Sequence, residues 1–415
     1  MRLKHRLRLM NFLEFFVWGS WLISLGSYMI EVLKFSGKEV GSIYGVMGLA
    51  SLFAPAMMGI LADRWINAER LLGICHLLGA ILLFSASRVT DPGLMYLLML
   101  LNAIVFMPTI ALNNTVSYIV LEQRGYPITK DFPPIRVWGT IGFICAMWLV
   151  DLNGWTLSPH QLYLSAAAGL TLGVYAFTMP ACPPQKIKSG AGSPVFSYFG
   201  LDAFVLFRKK KMAVFFLFAM LLGAALQITN TFGATYLQDF KKNYPDSFGV
   251  NHPNILISIS QISETLFILA IPFFLRRFGI KKVMLISIFA WVFRFGLFGL
   301  GNPGPGLILL ILSMIIYGMA FDFFNISGSL FVEKEAAIHI RASAQGLFML
   351  MTNGLGAYLG GFFSGRVVDY FTKNGIRDWP HIWFSFAGYA LVLGLVFPVL
   401  FHYKHEPEKM GAPGV

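Results

Sequence analysis

Charge is scarce in this chain. Of its 415 residues only 13% are Asp, Glu, Lys or Arg, about half the ~25% that a soluble globular domain carries. There is not enough polar surface here to cover a water-exposed fold of this size. Cysteine is nearly absent: Cys75, Cys145 and Cys182 lie in or beside apolar stretches and form no CxxC pair. A disulfide framework and a zinc site are therefore excluded. The eight histidines make no HExxH, and no GxxxxGK[ST] loop is present, so the chain carries no ATPase engine of its own and no cofactor is expected.

What fills the chain is apolar. Residues of the hydrophobic class make up 56%, with 41 glycines besides, and the mean hydropathy is +0.67. Apolar runs long enough to cross a bilayer recur from end to end. They predict an all-α membrane protein with twelve spans, at roughly 10–33, 40–62, 69–88, 94–121, 134–154, 160–180, 212–238, 253–276, 282–300, 305–331, 340–370 and 381–402. Pro55, Pro108, Pro272 and Pro398 fall inside such runs and are candidate kinks. The first run has basic flanks like a signal peptide, but it is too long for one and contains Glu14, so it reads as a retained first helix.

The net charge of +12 finds its explanation in topology rather than in a nucleic-acid partner. With the N-terminus inside, 23 of the 32 basic residues fall in cytoplasmic segments, 8 on the other side, and Arg294 inside a span. That asymmetry puts both termini in the cytoplasm. The longest connection, about 181–211, carries Pro180, Pro183, Pro184, Ser189, Gly190 and Gly192, then an apolar stretch ending in Arg208-Lys209-Lys210-Lys211. It reads as a linker with a helix on the membrane surface. It separates an N-terminal six-helix half (1–180) from a C-terminal one (212–403), with a cytoplasmic tail at 404–415. A weak repeat agrees: Ile135-Arg136 through Phe143 opens the fifth span as Ile340-Arg341 through Phe348 opens the eleventh.

Polar groups inside the spans mark function, because a charge at the bilayer centre costs about 2.5–3.5 kcal/mol on insertion scales. Three acids fall there: Glu14, Glu264 and Asp322. Helical spacing sorts the neighbouring residues into faces. Arg136, Thr140 and Phe143 form one stripe; Gln227 and Asn230 are i, i+3, as are Gln261 and Glu264; Tyr317 and Phe321 share a face, with Asp322 and Asn325 one step round. Amides donate and accept, carboxylates accept from hydroxyls, and aromatic rings stack. The combination suits a small polar solute with hydroxyls and a flat ring. For Glu264 and Asp322 a part in coupling is preferred. For Glu14 interfacial exposure and a role in the cavity stay equally open. Asn102, Asn113, Asn114 and Asn353 read as packing hydrogen bonds, Arg294 as snorkelling or structurally paired, and the glycines from Gly354 to Gly365 as close helix packing. His76 and His339 have no acidic partner in sequence, which disfavours a membrane-embedded enzyme.

Several runs carry a family resemblance: Phe15–Trp21 (FFVWGSW), Asp131–Phe143 (DFPPIRVWGTIGF), Leu226–Asn230 (LQITN), Ser258–Phe267 (SISQISETLF), Tyr317–Gly328 (YGMAFDFFNISG) and Ile340–Gly346 (IRASAQG). Over nearly its whole length the chain resembles the nucleoside:proton symporter family of the major facilitator superfamily, the bacterial nucleoside and xanthosine permeases. The resemblance implies a multi-pass transporter of the bacterial inner membrane, working as a single chain, that imports nucleosides with protons. It implies that Arg136, Thr140, Phe143, Gln227, Asn230, Gln261, Glu264, Tyr317 and Phe321 hold the nucleoside, and that Asp322 and Glu264 handle the proton. A permease for another polar solute, such as a sugar, is the alternative on the same fold. One departure stands out: Gly59 to Arg70 (GILADRWINAER) keeps the start of the superfamily's loop between spans two and three but lacks its later glycine and basic pair. The position of Arg136, near the cytoplasmic end of the fifth span, also leaves room for a gating role.

Overall fold

The computed structural model describes residues 3–184, 201–337 and 340–403. The chain in these stretches is helical, apart from Thr372–Lys373 paired antiparallel with Ile376–Arg377. Asn374 and Gly375 turn that hairpin with φ of 51° and 76°, the geometry an Asn-Gly dipeptide supplies. Eight helices are long and apolar enough to cross a membrane unaided. Side chains such as Leu269, Phe273, Ile81 and Val399 stand more than 60% exposed on the outside, as lipid-facing residues do.

The helices follow the apolar runs, with breaks that hydropathy does not register. The first run divides into α1 (Leu3–Gly19) and α2 (Leu25–Glu31). The Ser20 hydroxyl donates back to the Phe16 carbonyl at 2.7 Å, a bond that loosens the helix where it ends. The second divides into α3 (Gly37–Ser51) and α4 (Ala54–Arg64), with Pro55 in the first turn of α4. There the missing N–H costs nothing, and the candidate kink is a full break. Next come α5 (Ala68–Ala86), α6 (Pro92–Glu122, with Pro108 inside), α7 (Pro133–Leu152) and α8 (His160–Ala176).

After residue 200 a short 3-10 helix, Leu201–Arg208, leads into α9 (Lys210–Asp239). Its Ala203 and Leu206 are buried while Phe204 and Val205 are exposed. The rest of the expected linker, 185–200, and the tail, 404–415, lie outside the described residues. The eighth and ninth runs join as α10 (Pro253–Leu300), interrupted at Gly279, whose φ of 76° and ψ of 166° suit only glycine. α11 spans Leu307–Glu335. α12 (Arg341–Met349) passes through a π-helical stretch, Leu350–Gly356, into α13 (Ala357–Tyr370), and α14 (Trp379–Leu400) closes the chain.

The glycines of α13 do pack closely, as the sequence predicts. A Cβ on Gly365 would run into the Gly37 carbonyl, and one on Gly361 into that of Gly41. α3 and α13 thus meet backbone to backbone.

Among the described residues, the side-chain hydrogen bonds between the parts before 185 and after 200 lie toward the end opposite the termini. Two of these contacts are the same device used twice. Asp151, at the end of α7, accepts from the Asn254 and Ile255 amides at 2.6 and 3.0 Å, capping α10. Asp369, near the end of α13, accepts from the Gly37 and Lys38 amides, each at 2.7 Å, capping α3. Each carboxylate satisfies amides a helix start leaves open and meets the positive end of its dipole. Asp369 follows Asp151 by 218 residues, and Asn254 follows Gly37 by 217, so the two caps are related by a pseudo-two-fold exchange. Trp148 Nε1 donates to Ser258 Oγ (2.9 Å), and Arg377 donates to Glu31 (2.9 Å) and to Asp239 (2.5 Å). His252 Nδ1 bonds Asp151 at 2.9 Å. Toward the termini the ion pairs stay within one part, as Lys4–Asp131 and Lys211–Glu335 do.

Candidate functional site

The site grows from α7. Its N-terminal turn puts Arg136 near the terminal end of the helix, but the side chain runs a turn deeper. The guanidinium lies along Gly139, where a Cβ would stand 2.6 Å from Nη1. It also sits over the Phe15 ring at 4.1 Å. Glycine at 139 is what permits this, and the cation–π contact holds it. Thr140 is half-buried one turn on, and Phe143 is buried edge-on against Trp18 at 6.2 Å and 88°. Trp18 also packs against Phe15 and Phe106, and its indole N–H is buried with no acceptor.

Across from this wall stand α9, α10 and α11. Gln227 is 5% exposed and its Nε2 has no acceptor; Asn230, one turn on, is half-buried. Gln261 and Glu264 are half-buried on α10. Tyr317 and Phe321 stack at 6.0 Å with planes 4° apart. Tyr317 is buried, with Trp291 edge-on behind it and the Arg294 guanidinium 4.5 Å from its ring. Asp322 is 5% exposed, and its Oδ2 has no donor. Glu264 is in electrostatic reach of Arg136, Asp322 and Tyr317. One cation from the part before 185 and two acids from the part after 200 therefore share one field.

A buried polar atom without a partner costs about 1–3 kcal/mol, more when charged. Gln227, Asp322 and Trp18 each hold such an atom. A small, partly open cavity near Phe321, Asn325 and Asn353 is about 20 Å³, room for a single water and far below the ~300 Å³ of a small-molecule site. Of the residues that the resemblance assigns to the nucleoside it touches only Phe321. Arg136 and Glu264, from the two parts of the chain, lie close enough for their charges to interact.

Some expectations need correction. Glu14 is neither interfacial nor in the cleft: it is fully buried, with Oε2 2.8 Å from His76 Nε2 and Oε1 accepting from the Thr109 hydroxyl at 2.6 Å. His76 therefore has the acidic partner that sequence did not give it; His339 lies outside the described residues. Of the two roles expected for Arg294 it takes the structural pairing and not snorkelling: it is 2% exposed, donates to the Ser313 carbonyl at 3.0 Å, and leaves Nε unpartnered. Asn113 makes the expected packing bond, donating to Asn11 Oδ1 at 2.9 Å. Asn353 reaches only the Met349 sulfur, and Asn102 and Asn114 leave their Oδ1 atoms unbonded. The side chain of Asp63, in the last turn of α4, is outside the description. Trp18 was not singled out, although it stands one turn from Glu14 on the same face, a spacing that could have flagged it.

A helical bundle joined at one end and polar at mid-depth defines a secondary transporter of the major facilitator type. Residues 1–406 match the family model described as Nucleoside H+ symporter, and the chain belongs to that family. It is 55% identical to the nucleoside permease NupG of Escherichia coli (strain K12), over all of both chains. It is also 55% identical to the xanthosine permease of the same organism, over 99% of this chain and 98% of that one. The crystal structure of the nucleoside transporter NupG superposes with a TM-score of 0.92, at 55% identity, covering 97% of this chain and all of that one. A POT family transporter, at 16% identity and a TM-score of 0.70, shares the fold.

Proposed function

We propose that this chain imports nucleosides with protons across the bacterial inner membrane by alternating access. Membership of the nucleoside symporter family and 55% identity to two permeases support the substrate class. Within the fold, the observation that carries the reading is the buried, unpartnered Asp322 Oδ2, in electrostatic reach of Glu264. A carboxyl group so placed needs a proton, a cation or a ligand.

In this reading there are twelve spans in two six-helix halves, with α1–α2, α3–α4 and α12–α13 each a broken span and α10 two spans about Gly279. Both termini are cytoplasmic, so the aspartate caps close the outer end and the cleft opens inward. Arg136, Thr140 and Phe143 meet the nucleoside from one half. Gln227, Asn230, Gln261, Glu264, Tyr317 and Phe321 meet it from the other. The amides and Glu264 take the ribose and base groups, and the aromatic rings flank the base. Asp322 and Glu264 exchange the proton. Protonation outside neutralises the acids and favours the nucleoside; deprotonation inside releases it. A potential of 100 mV adds about 2.3 kcal/mol per charge moved.

Radiolabelled uridine uptake into proteoliposomes tests this. An inward proton gradient should drive accumulation, with nucleosides and not sugars competing. Glu264→Gln should fold normally yet lose most of the gradient-driven accumulation. Full retention of pH-dependent accumulation in that variant rejects the role of Glu264.

A further inference from the structure

Outside the cleft the fold encloses one more ionisable cluster, in the part before residue 185. Glu14 on α1 is 0% exposed and His76 on α5 is 2% exposed, with 2.8 Å between Oε2 and Nε2. Thr109 of α6 donates to the other carboxylate oxygen at 2.6 Å. Polar bonds continue along α1, where Asn11 donates to Ser117 Oγ (3.3 Å) and accepts from Asn113 (2.9 Å). We propose that Glu14 and His76 form a second proton-exchanging site, which sets the charge seen by Arg136 and so positions that guanidinium for the nucleoside. This rests on the reading of the chain as a nucleoside–proton symporter.

The placement argues for more than packing. An enclosed ion pair is by itself weak support for stability, because desolvating both ions offsets their attraction. Here the field of Glu14 reaches the binding cleft: Arg136 is in its electrostatic reach, and the guanidinium rests on Phe15, the next residue after Glu14. The groups facing the pair can be named. α5 adds Cys75, which also senses Glu14. α6 presents the Thr109 hydroxyl and the Asn113 amide. α8 presents Ser165, whose hydroxyl bonds the Val17 carbonyl at 2.6 Å. α7 presents Arg136, with Glu264 beyond it.

The exchange is a simple one. A neutral imidazole donating Nε2–H to the Glu14 carboxylate carries one negative charge. One proton taken up on Nδ1 makes an imidazolium and brings the pair to zero. In the negative state Arg136 is drawn between Glu14 and Glu264; in the neutral state Glu264 alone holds it. Neither side chain meets solvent in this state.

The test is uridine affinity of the purified full-length transporter, by calorimetry, from about pH 5 to 8, the range in which a histidine exchanges its proton. His76→Gln keeps a donor to Glu14 but cannot titrate. It should move the midpoint of the affinity profile by about one pH unit, a tenfold change in affinity at fixed pH near the midpoint. A profile coinciding with wild type overturns the proposal, since a purely structural bond would not set the midpoint. Should wild type bind no uridine at any pH, the symporter reading itself fails, a different result. If His76→Gln does not fold, histidine ring-carbon NMR of the wild-type protein decides. A solvent-protected histidine resonance should shift on adding uridine, and its absence among the responding resonances overturns the proposal.

Discussion

The two parts of the molecule treat buried carboxylates in opposite ways. Before residue 185, Glu14 is fully enclosed, with a partner on each oxygen. After residue 200, Asp322 is nearly as buried but leaves Oδ2 bare, and Glu264 is half-exposed without a salt bridge among the described residues. A satisfied acid can sit indefinitely in a low-dielectric interior. A bare one costs free energy until something arrives to pay for it. In the reading proposed here the contrast divides the labour: the open acids would meet the nucleoside and its proton, and the closed pair would tune the arginine that faces them.

The largest effect should come from the barest group. Asp322→Asn keeps the shape and removes the exchangeable proton. Steady-state uridine accumulation under a proton gradient should fall at least about tenfold, the scale of one pKa unit, while uridine counterflow persists. Equal accumulation by variant and wild type would erase the contrast between the two parts. Gln227→Ala sharpens it. The variant loses one ligand bond worth about 1 kcal/mol, so uridine affinity should weaken about fivefold with the pH midpoint unmoved. A shifted midpoint would move Gln227 from binding to coupling.

The smallest effect concerns the aspartate caps, where the two parts are alike rather than different. Asp369→Asn weakens an anion–helix-dipole contact worth about 1 kcal/mol. That should raise severalfold the reactivity of a cysteine placed at Ser27, toward the end opposite the termini, with a water-soluble thiol reagent. Asp151→Asn should act in the same direction. Unchanged reactivity in both would show that the glycine-lined contact of α3 with α13 closes that end by itself.

Much of this was legible in the sequence, for a definite reason. Glu264, Asp322 and Gln227 stand out because hydrocarbon penalises polar groups, and helical spacing assigns them to faces. Other features were not legible. Hydropathy reads the first run as one helix, since Gly19 and Ser20 are as apolar as a span allows, yet the backbone breaks there. Glu14 and His76 are 62 residues apart, and only the packing of α1 on α5 joins them. For Arg294 the sequence leaves snorkelling and structural pairing both open, and only the packing of α11, whose Ser313 carbonyl it bonds, decides for pairing. The aspartate caps are missed because Asp151 and Asp369 sit at span ends, where acids are unremarkable.

The central claim is that nucleoside movement and proton movement are one event at this cleft. Proteoliposomes loaded with a pH-sensitive dye and given uridine outside, with no imposed gradient, test it directly. Uridine should acidify the lumen in the wild type, and Asp322→Asn should abolish that signal while uridine still exchanges. Uridine entry with no acidification in the wild type would contradict the account.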